Sequence, residues 1–149
     1  MSGFIDTLKV EGNLVIVKTD GAGVTETREF KNLVVTAGKT YIAARMAGTT
    51  AAVMSHMAVG TGNVAAIVSN TALQTEIGRI ALTVSGGTPS ANTVTYSATF
   101  PAGTGTGALT EAGILNASTA GAMLCRTVFP VINKQAADTI AITWAVSIT

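Results

Sequence analysis

The chain has 149 residues, 48% of them hydrophobic and only 11% charged, with a net charge of +1 and one cysteine, Cys125. That is the length of one domain, able to bury roughly 68–70% of the surface its unfolded chain exposes. A near-zero charge without a run of like charges excludes the footprint of a polyanion binder such as a nucleic-acid protein, and a lone cysteine excludes a disulfide framework or a multi-cysteine metal site.

Residues 1–12 mix Phe4, Ile5, Leu8 and Val10 with Asp6, Lys9 and Glu11. They read as a first strand or as an arm that docks on a neighbour through Phe4, Ile5, Leu8 and Lys9, ahead of a single β-sandwich domain over 13–149. Eleven of the seventeen Asp, Glu, Lys and Arg residues precede residue 50, so this third is the polar part. No basic segment leads into an apolar run at the start, and no window approaches a membrane-spanning stretch, which predicts a protein made in a cytoplasm with no membrane partner. NLVIVKT (13–19) and VTETREF (24–30) flank Asp20-Gly21-Ala22-Gly23. Glycine takes positive φ there at little steric cost, so the unit predicts a β-hairpin. The charges of Glu26, Arg28 and Glu29 mark its second strand as a wet edge. From Ala37 to Met46 the pattern changes, because AGKTYIAARM lacks proline, is rich in helix formers and sets Tyr41, Ala44 and Arg45 at helical spacings. It predicts the one substantial helix, near 37–47, with Thr36 as N-cap and Gly48 as stop.

Beyond the helix, VMSHMAVG (53–60) reads as a strand, TGNVAAIVSN (61–70) as a loop and TALQTEIG (71–78) as a single helical turn. In RIALTVS (79–85) Ile80, Leu82 and Val84 point one way, and GGTPSAN (86–92) is a turn by composition. Val94, Tyr96, Ala98 and Phe100 alternate with Thr93, Thr95, Ser97 and Thr99, the two-residue period of a half-buried strand. After PAGTGTG (101–107), the segments ALTEAGILN and AMLCRTVF flank ASTAG (117–121) as a second hairpin, which Pro130 is expected to end. The last strand is the clearest: Ile140, Ile142, Trp144, Val146 and Ile148 share one face, and such a face stays wet unless the strand sits centrally in a sheet. The core is expected around Val94, Tyr96, Phe100, Ile142, Trp144 and Val146. Eight or nine short strands and one helix predict an all-β fold, a β-sandwich or a jelly-roll-like domain.

Groups that do chemistry are sparse. Gly60-Thr61-Gly62-Asn63-Val64-Ala65 fits the glycine pattern of dinucleotide sites, but neither the long helix nor the ribose-binding acid follows. Gly103 to Gly107 lacks the Lys-Ser/Thr of a phosphate loop. His56, the only histidine, would need an orienting carboxylate to serve as a base, and nothing in the spacing of Glu76 or Glu111 brings one to it. Cys125, with Met123 and Phe129 at strand spacing on the same side, reads as a small buried hydrophobe. Glu76 with Arg79, and Glu111 with Arg126, read as ion pairs that fix register or loop geometry. Asn116-Ala117-Ser118 fits a glycosylation sequon, without any sign of secretion. No catalytic, cofactor or metal residue is assigned, and a non-enzymatic protein is expected. With charge so low, the exposed faces must be Thr, Ser, Ala and Gly, which lose little rotamer freedom at a contact; this is a composition for packing against copies or partners.

The segments NLVVTAGKTYIAARMAG, MSHMAVGTGN, NTVTYSATFPAGTGTGALTEAGILNAS, GAMLCRTVFPVINK and DTIAITWAVSI resemble a family of small tailed-bacteriophage structural proteins over roughly residues 32–148. The short form is similar to head decoration or cement proteins. That resemblance implies a virion component on the outer capsid surface, a homotrimer whose partner is the major capsid protein; the uneven charge adds the expectation that the N-terminal segment lies across a neighbouring capsid subunit. The alternative it implies is a tail-fibre or baseplate attachment domain. A glycan-binding module is a third reading, for which Tyr41 is the ready aromatic.

Overall fold

The computed structural model describes residues 7–49 and 51–149. Among them lie nine strands and one helix. The strands are β1 (Val10–Thr19), β2 (Thr25–Val34), β3 (His56–Gly60), β4 (Glu76–Ala81), β5 (Thr88–Ser90), β6 (Thr93–Phe100), β7 (Gly107–Leu115), β8 (Met123–Lys134) and β9 (Thr139–Ile148), and the helix α1 is Thr36–Met46. All pairings are antiparallel, in the order β4-β3-β7-β8-β2-β1-β9-β6-β5. The fold is all-β with one helix, as the strand patterns predicted.

The sheet curls into two facing halves that share β2. Thr25–Asn32 pair with β1, and Leu33 and Val34 then cross to pair with Arg126 and Cys125 of β8. The charged part of β2 is thus an edge, but the strand as a whole is the corner that joins the halves. At the far ends Thr83 donates its N–H to Ser97 of β6 at 2.8 Å, so the curl nearly closes. Between the halves lies one core. Leu14 and Ile16 of β1, Ile140, Ile142 and Trp144 of β9, and Tyr96 and Phe100 of β6 meet Met57 and Val59 of β3, Ile114 of β7 and Phe129 of β8. Phe30 stacks on Phe129 at 5.1 Å across the corner. The predicted core residues Tyr96, Phe100, Ile142, Trp144 and Val146 are buried there, with Val94 partly buried against them. β9 sits between β1 and β6, the central seat its apolar face demands.

The helix plugs one end of the sandwich. Tyr41 and Ile42 pack against the core, and Gly38 lies so close to β8 that a Cβ would run into the carbonyl oxygen of Leu124. The expected N-cap is off by one residue: Val35 occupies that position with no side-chain capping bond, and Thr36 is already helical. Gly48, at φ +72°, ends the helix as expected.

β1 begins at Val10, and the backbones of Lys9 and Thr149 exchange hydrogen bonds of 2.7 and 2.8 Å, so residues 9–12 take the first-strand alternative of the two expected for that segment. Other expectations are corrected. Residues 71–75 form no helical turn; they continue an irregular loop into β4. That strand stops at Ala81, leaving Val84 exposed. The turn predicted at 86–92 contains the short strand β5, paired with β6. Pro130 does not end β8, because the β7–β8 ladder shifts register between Leu109 and Glu111, where a missing N–H breaks no pairing. A second irregularity between Ile114 and Leu115 puts Cys125 in the main core but Met123 in a separate outer cluster with Val35, Ala58, Leu73 and Leu115.

Candidate interaction surface

A connection of fifteen residues, Thr61–Thr75, joins two adjacent antiparallel strands, β3 and β4. Two residues would suffice for a hairpin, and irregular loops this long are uncommon in compact domains unless they serve a function. The loop folds back over the outer face of β3, β7 and β8. Leu73 anchors it there in the outer cluster with Ala58, Leu115 and Met123.

Beneath the loop lies the Glu111–Arg126 pair, both side chains essentially without solvent contact. Glu111 Oε1 accepts the N–H groups of Gly62 at 3.0 Å and Thr75 at 2.7 Å, and Oε2 accepts Gln74 N–H and Arg126 Nε, both at 2.9 Å. The guanidinium goes on to donate to Asn70 Oδ1 at 2.9 Å and to the Val64 carbonyl at 3.0 Å, while Thr110 Oγ1 donates to the Gly62 carbonyl at 2.8 Å. Burial alone would raise the Glu111 carboxyl; the N–H groups of Thr75 and Gln74, the Arg126 guanidinium and the Gly62 N–H outweigh it and hold the group below the usual carboxylate range. Both ends of the loop are thereby tied to one buried charge pair.

This arrangement accounts for the glycine pattern at 60–65. A Cβ on Gly60 or on Gly62 would collide with the Glu111 carboxylate. The backbone donors that elsewhere cradle a phosphate here receive the chain's own carboxylate. The signal was available in the sequence as a lone acid inside an apolar strand, TEAGIL, but nothing local paired it with glycines some fifty residues earlier.

The second pair does a related job. Arg79 holds Glu76 through Nε at 2.8 Å and Nη2 at 2.7 Å, and its Nη1 donates to the carbonyls of Ala117 and Ala120 at 2.9 Å each, tethering the β7–β8 turn to β4. Asn116 also serves that turn, accepting Ala122 N–H at 2.7 Å. His56 touches Ser55 Oγ at 2.8 Å through Nδ1. It pairs with Leu115 and Ala81, at the opposite end of β3 from Gly60, whose partners are Glu111 and Glu76. About 13 Å of strand separates His56 from either acid, so neither carboxylate is brought to it. Burial pushes the Cys125 thiol up, against smaller opposing effects of Asn32 and Ile114, so it stays protonated. Among the described residues no three His, Cys, Asp or Glu side chains gather as a metal site, and no helix is long and apolar enough to cross a membrane.

Outward the loop presents aliphatic side chains among exposed polar ones such as Asn63, Ser69 and Thr71. Val64, Ile67 and Val68 are 59%, 54% and 50% exposed, and residues 61–75 contain no ionisable side chain. Beside them a groove of about 590 Å³ runs between α1, Val68 and the β7–β8 turn. On the other side of α1, a groove of about 490 Å³ is lined by Leu8, Lys9, Ile42 and Met46. Leu8 and Lys9, two of the expected interface residues, are exposed there; Phe4 and Ile5 lie outside the described residues.

Fold and surface together define an all-β domain that offers grooves and an uncharged loop. Residues 27–146 match the family described as phage tail-collar fibre protein, N-terminal, and the chain belongs to that family. It is a bacteriophage virion structural protein. The family fits the tail-fibre expectation better than head decoration. No curated protein and no solved structure matches the chain.

Proposed function

We propose that the chain is an attachment domain of a tail fibre, which joins the fibre to the collar or baseplate of the phage particle by surface contact and without catalysis. The carrying observation is the family match over residues 27–146. A rigid sandwich with low surface charge and an uncharged loop held in place supports a role in protein contact, because a preorganised surface loses little entropy on docking. Glycan platforms are built on exposed aromatic rings. Among the described residues Tyr96, Phe100 and Trp144 are buried, Tyr41 leans on the core, and Phe30 and Phe129 stack on each other, which favours a protein partner over a sugar.

Antibody-gold labelling of intact particles tests the reading. Label at the tail, at the collar or baseplate, is the expected result; label spread over the head would overturn it in favour of capsid decoration.

A further inference from the structure

We infer that the pocket of about 200 Å³ between Asn70, Gln74 and Arg126 is a binding site for a single carboxylate group. It lies beside the buried Glu111–Arg126 pair, and Val64 and Ala72 complete its wall. Sites that take a drug-sized molecule have roughly 300–1,000 Å³, so this smaller volume fits one functional group.

The polar groups of the pocket are donors that the fold has left over. Guanidinium groups donate and never accept. Arg126 directs Nε at Glu111 Oε2, with Nη2 2.9 Å from the same oxygen, and Nη2 also donates to the Val64 carbonyl. Nη1 gives one hydrogen to Asn70 Oδ1, and its other hydrogen has no acceptor among the described residues. The two amides are held in one orientation by the donors that bind their oxygens. Asn70 Oδ1 accepts from Ile67 N–H at 2.9 Å as well as from Arg126, and Gln74 Oε1 accepts Val64 N–H at 3.0 Å. Neither NH₂ group has an acceptor among the described residues.

A site that offers only donors calls for an acceptor, and charge selects which one. Glu111 occupies the Nε and Nη2 edge of the guanidinium, while Nη1 lies on the other side, toward Asn70. The ion pair therefore turns its positive end to the pocket. That favours an anion, whose hydrogen bonds are about twice as strong as those of a neutral acceptor. No lysine and no second arginine lines the pocket, so a phosphate dianion would be desolvated against one cation that is already paired. A carboxylate brings a single charge and about four lone-pair sites, a match for Arg126 Nη1, Asn70 Nδ2 and Gln74 Nε2 together. The donors stand on a loop that Glu111 already fixes through Gly62, Gln74 and Thr75, so little freedom is lost on binding.

Two sources carry this chemistry: a free small carboxylate, and an Asp or Glu side chain of a partner polypeptide. Two-dimensional ¹H–¹⁵N NMR of the full chain at neutral pH separates them, with titrations of sodium acetate and of the peptide acetyl-Gly-Asp-Gly-amide against sodium chloride at matched ionic strength. Saturable shifts of the Asn70 and Gln74 NH₂ and Arg126 Nε–H signals are expected, with none in chloride. An equal or lower midpoint for acetate assigns the site to a free carboxylate, and a lower midpoint for the peptide assigns it to a partner's acidic side chain. Gln74→Glu and Asn70→Asp each keep the accepting oxygen, remove the unpartnered NH₂ and add a negative charge. Both are expected to keep the wild-type amide dispersion and to raise the midpoint about tenfold or more, the loss of one hydrogen bond to a charged group. Gln74 is exposed, so its variant decides the matter should Asn70→Asp disturb the loop. Gln135→Glu, the same change on an exposed residue between β8 and β9, is expected to leave the midpoint unchanged. No saturable shift with either probe, equal shifts in chloride, or a folded Gln74→Glu protein that binds as the wild type does would each overturn the assignment.

Discussion

Glu111 is the residue whose chemistry reaches furthest. Buried ion pairs cost desolvation and are retained where further hydrogen bonds satisfy the remaining lone pairs and protons. The four donors around this carboxylate do that while holding the loop. Glu111→Gln puts an amide NH₂ among those donors and leaves Arg126 buried without a counter-charge. A loss of about 3–5 kcal/mol is expected from the chemical-unfolding midpoint at neutral pH. The carboxyl is depressed in the folded protein, so its contribution is complete above the ordinary unfolded value of about 4.3. It is lost as pH falls through the lower folded value. Unfolding midpoints of wild type and variant should therefore converge as pH is lowered below about 4, and a constant gap between them would remove the carboxylate from this role. The pair itself was legible in the sequence because charges are so scarce there; its partners were not, since Gly62, Gln74 and Thr75 meet Glu111 only through the folded-back loop.

Among the elements, β9 and α1 respond to different physics. β9 shows its structure in its own two-residue alternation, and Trp144 at its centre is fully buried. Trp144→Ala should lower stability by about 3–5 kcal/mol, read as a shift in the urea midpoint; an unchanged midpoint would put the strand outside the core. α1 depends on approach distance instead. Gly38→Ala forces helix and β8 apart at the Leu124 carbonyl. Overpacking of this kind costs about 1–3 kcal/mol, and it outweighs the gain of roughly 1 kcal/mol that alanine brings to a helix interior; a rise in melting temperature would contradict this. Helix and last strand were readable because their patterns repeat within ten residues. The β8 irregularities, the short β5 and the irregular stretch at 71–75 were not, because each is set by a partner strand or loop distant in sequence.

For the whole molecule, the place of β1 is decisive. The family match starts at residue 27, yet β1 lies between β2 and β9 and pairs with both along its length. A chain beginning at residue 25 would leave β9 with an open edge and the core without Leu14 and Ile16, so it is expected to lose cooperative unfolding in a thermal melt. By itself the sequence determined the all-β class, the single helix, the buried rows of β6 and β9 and the absence of a charged footprint, since periodicity and composition are local quantities that survive without a fold. Only the tertiary structure decided that the two halves share β2, that a glycine pattern reminiscent of a nucleotide site receives the chain's own glutamate, and that an uncharged loop is held outward beside an uncharged groove. Each of these joins residues tens of positions apart, and such contacts exist only once the sheet has curled on itself.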